Sequence, residues 1–340
     1  MKIHFVYAGH PDNNSNASPY TITRELYRYM RARVDVAYYD WCTLGCPWVD
    51  KNDIILGHPN YDPNTITQRF FATANCRAKC LIFPLHHGIP EHNLPFDQLA
   101  LQADRIFSIM GPYWYDTLES SPFAHWKPKI TRVDMAVDAS KFPFARESFA
   151  PPGRRNLIYI GNARPEKHIE LLYEIMRRLP DIHLTWYGGG YEPMHHLPNV
   201  TIIGWTDFTP AIAKTMVKAG DFFINCSQSD ANPTTLLEAM CWGLIPVCTK
   251  QSGYHNDPLF TNIPQNADDA AAVIRGLQEI PGETLLERAR AARAEVERKY
   301  CWERFCETIW AELSKYIANP PRPGGIQRCR ISRSGTPPSR

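Results

Sequence analysis

SDANPTTLLEAMCWGLIPVCT, residues 229–249, predicts an acidic loop, a helix and a buried strand in direct succession. Asn232 is a residue type that caps helices, and Pro233 suits the first helical position, where its missing N–H costs nothing. Gly243 predicts the end of the helix, and the apolar run LIPVC after it predicts a buried strand. An acidic loop therefore leads into a helix that is followed by a strand of the core.

This segment places two carboxylates around a helix start. Asp230 lies in the loop, eight positions before Glu238 on the helix. The first free N–H groups of the helix belong to Thr234 and Thr235, at the positive end of the helix dipole, where anions bind. A carboxylate, a phosphate-sized N–H cradle and a second carboxylate suit a sugar, its diphosphate and its ribose, in that order. The alternative is a surface acid before an ordinary amphipathic helix.

The two acids resemble the E-x7-E element of glycosyltransferase family 4, a large family of retaining enzymes with the GT-B fold. In that family the first acid meets hydroxyls of the donor sugar, and the second holds the nucleotide ribose. The resemblance assigns these roles to Asp230 and Glu238. Asp230 is one methylene shorter than the glutamate of the family, so the match is closer for the ribose contact than for the sugar contact.

A second stretch resembles the diphosphate-binding element of the same family. Residues 159–167, YIGNARPEK, correspond to a family pattern of Gly-Arg, a short gap and Glu-Lys, in which both cations contact the donor diphosphate. Lys167 matches the lysine. Asn162 stands beside Gly161 where the family has arginine, and Arg164 follows two residues later. The fork of a guanidinium suits phosphate, so Arg164 is a candidate substitute, and a solvated loop arginine is the alternative.

Three further residues are assigned to the donor by the resemblance. Gly189, in the glycine run after the strand LTWY, allows close approach of a nucleotide. Trp205, after Gly204, is a candidate neighbour of the base, although ordinary packing explains it equally well. His87-Gly88 resembles a His-Gly element that faces the donor sugar across the cleft, and a structural histidine is the equal alternative.

The loop after the first strand is the candidate acceptor side. Ligands of open α/β sheets bind at the carboxyl ends of strands, and the first strand ends at Gly9. Asp12, Asn13 and Asn16 are polar residues of this loop. The family has a glycine-rich loop here, whereas this chain lacks the paired glycines. The expected acceptors are a glycan, a lipid or a small molecule.

The remainder of the chain alternates strand-like and helix-like segments, which predicts parallel sheets covered by helices on both faces. Composition shifts to Pro, Ser and charged residues over 138–155, which indicates a linker. The predicted architecture is α/β and GT-B, with two doubly wound Rossmann-like domains facing a central cleft. The predicted parts are an acceptor-side domain 1–150, a nucleotide-sugar-binding domain 151–301, a terminal helix 302–318 that crosses back to the first domain, and a disordered tail 319–340.

The composition limits the binding partners and the cellular location that the sequence favours. The chain has 340 residues, 44% of them hydrophobic, and a net charge of +2, which does not indicate nucleic acid as a partner. No apolar run approaches the roughly 20 residues of a membrane span, and the first strand does not resemble a signal peptide. A cytoplasmic location is expected. Arg24, Arg28 and Arg31 at helical spacing allow weak contact with the inner membrane face, but a solvated helix face is the simpler interpretation.

Metal and cofactor motifs are weak in this sequence. The pairs Cys42/Cys46 and Cys76/Cys80 have a spacing that a zinc site can use, but core thiols explain them better. No Asp-x-Asp motif occurs, and Lys167 with the helix start at Thr234 can replace a divalent ion. We therefore expect no metal and no cofactor, only a nucleotide diphosphate sugar as co-substrate.

The predicted activity is that of a hexosyltransferase or another glycosyltransferase in glycan or glycoconjugate biosynthesis. A sugar moves from a nucleotide diphosphate sugar to an acceptor hydroxyl, and the resemblance implies retention of anomeric configuration. Two alternatives stay open: a GT-B epimerase or hydrolase acting on a nucleotide sugar, and a noncatalytic sugar-nucleotide-binding subunit. A NAD dehydrogenase is disfavoured because no G-x-G-x-x-G follows the first strand.

Overall fold

A computed structural model describes residues 1–13, 15, 17–255 and 257–318 of the chain. The tail predicted over 319–340 lies outside the described residues, as does Asn16. Two parallel sheets of six strands each form the framework. Each sheet is covered by helices on both faces, so the predicted pair of Rossmann-like domains and the GT-B class are confirmed.

The N-terminal sheet has the strand order β2-β1-β3-β4-β5-β6. Its strands are mostly buried apolar runs, as expected when both faces of a parallel sheet are covered, although the edge strand β2 is only half-buried. The strands are β1 Ile3–Tyr7, β2 Val36–Asp40, β3 Ile54–Gly57, β4 Ala78–Pro84, β5 Arg105–Ile109 and β6 Ile130–Val133. The helices between them are α1 Ser18–Arg31, α2 Ile66–Thr73, α3 Asp97–Gln102 and α4 Pro112–Asp116.

The C-terminal sheet has the order β12-β11-β10-β7-β8-β9. The strands are β7 Leu157–Asn162, β8 Leu184–Gly189, β9 Val200–Ile202, β10 Phe222–Asn225, β11 Ile245–Thr249 and β12 Thr261–Ile263. The helices are α5 Ile169–Arg178, α6 Pro210–Ala219, α7 Thr234–Trp242, α8 Ala267–Gln278 and α9 Gly282–Lys299. The chain reverses direction across the sheet between β7 and β10, and ligands of such folds bind at this switch point.

The last described helix, α10 (Trp302–Ala318), packs on the N-terminal sheet. Phe305, Cys306, Ile309 and Leu313 are buried in the same core as β1. Their spacing of three and four residues forms one apolar face of a helix. The chain therefore returns to its first domain after completing the second.

The helices are short or highly charged. The longest, α9, spans 18 residues and reads GETLLERARAARAEVERK. In the described ranges, no helix combines the length and the apolarity that crossing a bilayer requires.

The segment 138–155, predicted as a linker, is anchored to the C-terminal domain. Arg146 is buried and lies 3.2 Å from Asp221, between nitrogen and carboxylate oxygen. Arg155 is also buried, and its Nη1 donates to the carbonyl of Leu277 at 2.8 Å. Buried guanidinium groups are tolerated only when such partners compensate their lost hydration. The segment is therefore packed against the C-terminal domain and is not a free linker.

Candidate functional site

The loops that follow β7 and β10 meet at the switch point of the C-terminal sheet. The backbone N–H of Gln228 donates to the carbonyl of Glu166 at 3.0 Å, and Nε2 of Gln228 donates to the carbonyl of Pro165 at 2.8 Å. The ammonium of Lys167 forms an ion pair with the carboxylate of Asp230. The structure thus brings together the cation and the acid that the sequence assigned to diphosphate and sugar.

The Lys167–Asp230 pair is open to solvent on one side. The two side chains are 26% and 15% exposed, respectively, so a ligand can reach both groups. An ammonium has three donors and no fixed plane, so Lys167 can keep its bond to Asp230 while donating to a phosphate oxygen. The ion pair therefore holds the positive charge of Lys167 in a fixed position beside Asp230.

Lys167 belongs to a turn and not to helix α5. The sequence pattern after β7 favours a helix from about Glu166 to Arg178, but the structure has a short 3-10 turn over Pro165–Lys167 and a break at His168. His168 has φ of 51°, in the left-handed region that a non-glycine residue occupies at a cost of about 1–2 kcal/mol. Helix α5 begins only at Ile169. The break directs the turn towards the loop of Asp230, where Gln228 holds it.

Asn162 and Arg164 flank the end of β7 and are both exposed. Neither side chain has a hydrogen bond or ion pair within the part of the chain that the structure describes. Both are therefore available to a ligand at the switch point, and the structure does not rank one above the other.

We expect Arg164→Ala to lower turnover strongly and Asn162→Ala to lower it much less. A guanidinium can form two parallel, charge-assisted bonds to a diphosphate, whereas a neutral amide cannot. The comparison of the two kcat values, with affinity for the nucleoside diphosphate measured in parallel, checks this. The reverse order would show that Asn162 holds the donor and that Arg164 is solvated.

The start of α7 differs from its prediction in one respect. Pro233, and not Asn232, occupies the cap position, and Thr234 is the first helical residue. The Oδ1 atom of Asn232 instead accepts a bond of 2.5 Å from the backbone N–H of Met135 in the N-terminal domain. The Met135 N–H of the other domain thus binds the Asn232 side chain, which the local sequence pattern assigns to helix capping. The first-turn N–H groups of Thr234 and Thr235 have no partner within the helix and stay available to an anion.

Glu238 lies one turn deeper on α7 and opens into a cavity of about 800 Å³. Burial raises the pKa of its carboxyl to about 7, and a hydrogen bond from the Thr234 hydroxyl opposes this rise. Desolvation always disfavours the charged form of an acid. The ionised Glu238 carboxylate therefore lowers the stability of the folded protein. A buried acid of this kind is typical of a group retained for ligand binding.

We expect Glu238→Gln to increase the free energy of unfolding by about 1–3 kcal/mol at about pH 8. The folded-state pKa lies above that of an unfolded glutamate, so the folded state binds the proton more tightly. Stability is therefore lost as pH rises from the unfolded pKa through the folded one. Urea denaturation at about pH 8 and about pH 5 measures this, since most of the gain disappears when Glu238 is protonated. Glu283→Gln, on the exposed start of α9, is the control, and an equal gain at both pH values would contradict the prediction.

The walls of the large cavity come from both domains. Helix α1 contributes Ser18, Thr21, Arg24 and Glu25. The C-terminal domain contributes α7 and residues 206–208. The sequence assigned neither α1 nor 206–208 to the donor site. Their contribution depends on how the two domains face each other, which no local pattern encodes.

Trp205 does not line this cavity. Its side chain is 85% exposed, next in sequence to the cavity-lining residues 206–208, and its place beside the base stays a prediction. Phe208 is one of four aromatic residues in the wall, and its ring lies 5.2 Å from that of Tyr187 and 5.3 Å from that of Trp242, between centroids. Phe208 is partly buried and held on two sides, whereas Trp205 projects into solvent.

The glycines after β8 are not equivalent. A Cβ at Gly188 would lie 1.9 Å from the carbonyl oxygen of Gly161, so the close pairing of β7 and β8 requires glycine there. Gly189, the residue predicted to approach the nucleotide, has no atom within 4 Å of a hypothetical Cβ. Gly189 therefore faces open space at the carboxyl end of the sheet.

The loop of Asp230 is also fixed by the N-terminal domain. The indole N–H of Trp114 donates to the carbonyl of Asp230 at 2.6 Å, and the N–H of Gly111 donates to the carbonyl of Ala231 at 2.8 Å. His86 Nδ1 lies 2.6 Å from the hydroxyl of Ser229. The site is thus built where the carboxyl ends of both sheets meet.

His86, and not His87, faces the acidic loop. The ring of His87 bonds to the hydroxyl of Thr117 at 2.8 Å and packs 4.8 Å from Trp114, and its role in facing the donor sugar stays a prediction. Burial lowers the pKa of His86 to about 4, and the charge of Asp230 opposes this. His86 is therefore neutral near pH 7. His86 and His87 are adjacent in the sequence, and the sequence pattern does not decide which of them faces the acidic loop.

The predicted acceptor-side residues border a separate cavity. Gly9 and Asp12 line a space of about 540 Å³ together with Tyr27, Arg31 and residues of β2. Asn13 supports the loop, since its Oδ1 accepts from the N–H of Ser15 at 2.8 Å. Asn16 lies outside the described residues. These residues are not brought into the cavity that contains Glu238.

The arginine row of α1 is not a uniform cationic face. Arg24 is buried, and its Nη1 donates to the carbonyl of Asn13 at 3.0 Å. Arg31 lines the cavity of about 540 Å³. Arg28 and Arg31 are both exposed, and Arg28 is 62% exposed. Of the three arginines, Arg24 thus serves the interior of the domain.

The cysteine pairs are not assembled into a metal centre in the described residues. Cys42 and Cys46 are exposed free thiols, and Cys80 is a buried one. No group of three or more His, Cys, Asp or Glu side chains in the described ranges is arranged to hold a metal ion. Burial raises the pKa of the Cys76 thiol to about 11, as expected for a structural cysteine.

Comparison with known proteins gives a family match within the C-terminal domain. Residues 154–279 match the family model described as glycosyl transferases group 1. This range is similar to group 1 glycosyltransferases. It contains the Lys167 turn, the Asp230 loop and Glu238, so the matched range coincides with the site described above. The resemblance drawn from the sequence is confirmed.

Curated relatives support the same assignment at low identity. A GDP-mannose-dependent alpha-mannosyltransferase of Mycolicibacterium smegmatis is 28% identical over 144 residues, 39% of this chain and 37% of the relative. The sulfoquinovosyl transferase SQD2 of Arabidopsis thaliana is 26% identical over 231 residues, 60% of this chain and 41% of the relative. The chain thus matches less than half the length of either relative.

A solved structure supports the fold over nearly the whole chain. The glycosyltransferase from Rickettsia africae superimposes with a TM-score of 0.66 and 12% identity, over 94% of this chain and 99% of that one. At this identity the likeness shows the GT-B fold alone.

Proposed function

We propose that this protein is a glycosyltransferase that moves a sugar from a nucleotide diphosphate sugar to an acceptor hydroxyl with retention of configuration. One observation carries the proposal. The Lys167–Asp230 pair and the start of α7 lie together at the switch point of the C-terminal sheet, with Glu238 one turn deeper. A cation, free helix N–H groups and two carboxylates within one loop and one helix match the charges and hydroxyls of such a donor.

Each group has a role in binding the donor. The Glu238 carboxylate accepts hydrogen bonds from the ribose hydroxyls. The ammonium of Lys167 and the N–H groups of Thr234 and Thr235 bind the diphosphate. The Asp230 carboxylate accepts from hydroxyls of the transferred sugar. The relatives' names differ in the sugar that they state, so the donor sugar follows from neither relative.

The reaction needs stabilisation of the leaving group more than a protein nucleophile. As the bond between the anomeric carbon and the phosphate oxygen breaks, the electron pair stays on the diphosphate, and Lys167 and the helix start stabilise this charge. The acceptor oxygen attacks from the same face, and its proton passes to a leaving phosphate oxygen. This front-side route gives retention and leaves Asp230 as a carboxylate throughout.

We further propose that the reaction requires no divalent metal and that it serves glycan or glycoconjugate biosynthesis in the cytoplasm. Lys167, with Arg164 exposed beside it, supplies the positive charge that a metal gives other transferases. The cavity of about 540 Å³ beside Gly9 and Asp12 offers room for a glycan, the head of a lipid or a small molecule as the acceptor.

A panel of nucleotide sugars in EDTA tests the proposal. We expect at least one of them to raise the melting temperature of the full chain, and that donor to release nucleoside diphosphate faster when a hydroxyl acceptor is present. Release at an equal rate without acceptor, or interconversion of the free donor, would indicate a hydrolase or an epimerase. Binding without any turnover across an acceptor panel would indicate a noncatalytic subunit.

A further inference from the structure

We propose that Asp207 selects guanine as the base of the donor, so that the bound nucleotide is a guanosine diphosphate sugar. This inference rests on the proposed function and names the substrate class of the same site. It is carried by the wall of the large cavity, where Thr206, Asp207 and Phe208 lie in the same space as Thr234 and Glu238.

The order of groups along the cavity sets which part of a nucleotide meets Asp207. Thr234 begins α7 and offers its N–H to the diphosphate, and Glu238 is one turn further along the helix. The ribose is bonded directly to the diphosphate, so it lies at Glu238. The base follows the ribose. Of the other C-terminal side chains in the wall, Trp242 is buried behind Phe208, and Arg293 forms an ion pair with Glu297 at 2.6 Å. Residues 206–208 are therefore the part of this wall that is free to meet the base.

Phe208 provides a fixed surface for the base. Its ring packs against Tyr187 and Trp242, which hold it from two sides. Phe208 is only partly buried, and it lines the cavity, so part of the side chain remains available to a ligand. Aromatic side chains stack on any base, since every base has a π face, so Phe208 gives affinity without selection.

Asp207 is the group of this wall that can select. It is exposed to the cavity, and across the ranges that the structure covers its carboxylate makes no hydrogen bond or ion pair. The arginines of the cavity are engaged elsewhere, because Arg24 donates to the carbonyl of Asn13 at 3.0 Å and Arg293 to that of Ala139 at 2.9 Å. An ionised carboxylate only accepts, so Asp207 requires donors on the base.

Guanine matches this requirement better than the other bases do. Its ring N–H and its amino group lie side by side and can donate to both oxygens of one carboxylate. Uracil has one ring N–H between two carbonyl oxygens, which a carboxylate repels. Adenine and cytosine each place an amino donor beside an unprotonated ring nitrogen. A carboxylate therefore binds guanine through two charge-assisted bonds and the other bases through at most one.

Calorimetric titration of the full chain with GDP, UDP and ADP tests the inference. We expect GDP to bind about 5- to 150-fold more tightly than UDP or ADP, the range that a bidentate contact to a base gives. Asp207→Asn should remove most of that preference. Affinity for UDP should be retained or increased, because the repulsion of the uracil carbonyls is gone, and this also shows that the variant is folded. Asp181→Asn, at an exposed position before β8, should leave all three affinities as they are.

The outcomes separate this inference from the proposed function. Tight binding of UDP or ADP with no preference for GDP would overturn the role of Asp207 and leave the glycosyltransferase proposal standing. A preference for GDP that persists in Asp207→Asn would also overturn it. Binding of none of the three nucleotides would overturn the proposed function together with this inference.

Discussion

Lys167→Ala should lower the rate of sugar transfer by about 100- to 1,000-fold, the usual effect of removing one donor from a developing oxyanion. The ion pair with Asp230 holds the ammonium of Lys167 in place, so little reorganisation is needed when the leaving group becomes charged. The loss should appear mainly in kcat, because the negative charge on the leaving oxygen grows in the transition state. Steady-state kinetics over a range of donor concentrations measures it.

Two controls make this result specific. Lys218→Ala removes an exposed ammonium at the end of α6 and should leave kcat unchanged. Lys167→Arg retains the charge and should recover part of the rate. Because Lys167→Ala also leaves the Asp230 carboxylate without its cation, the double variant with Asp230→Asn distinguishes loss of the cation from repulsion by the unpaired acid. Transfer at the wild-type rate in Lys167→Ala would remove the lysine from the mechanism.

Asp230→Asn should lower transfer by about 100-fold while affinity for the free nucleoside diphosphate stays nearly intact. The carboxylate bonds hydroxyls of the sugar, and those bonds matter only when the sugar is present. The substitution keeps the size of the side chain and the backbone contacts of the loop, including the bond from Trp114 to the carbonyl of residue 230. Comparing kcat with the affinity for nucleoside diphosphate separates the two effects.

Asp230→Glu extends the test, because it restores the residue that the resembling family has. It moves the carboxylate about one methylene further into the site, and a misplacement of about 1 Å can cost on the order of 100-fold in rate. We expect lower turnover with the native donor or a shifted donor preference across a panel of sugars. If Asp230→Asn transfers sugar at the wild-type rate, Asp230 is an ordinary loop acid and the site has no sugar-binding carboxylate.

The sequence predicted the elements of this fold well because their signals are local. Buried apolar runs mark β7 and β10, and the glycine that ends α7 has φ of 96°, a conformation that glycine adopts without strain. Strands β6 and β12 were not predicted. Each is only three or four residues long, too short for a pattern to distinguish it from a loop.

The contacts of the site depended on how distant parts of the chain meet. Asn232 has the local signature of a helix cap, but a backbone N–H from the other domain binds its side chain. His86 and His87 are adjacent, and only the approach of the two domains decides which one faces Ser229. Asp207 and Phe208 have no motif, and they became candidates through the cavity they share with Glu238. Local rules cannot supply such long-range partners.

The affinity of Glu238→Ala for nucleoside diphosphate, measured by calorimetric titration in EDTA, tests the central claim most directly. The claim is that a nucleotide diphosphate lies along α7 with its ribose at Glu238 and its diphosphate at the helix start. The loss of a charged acceptor should weaken binding by about 10- to 150-fold, equivalent to about 1.5–3 kcal/mol. Glu283→Ala, at the exposed start of α9, should bind as the wild type does. An unchanged affinity in Glu238→Ala would remove the ribose from this position and contradict the placement of the donor.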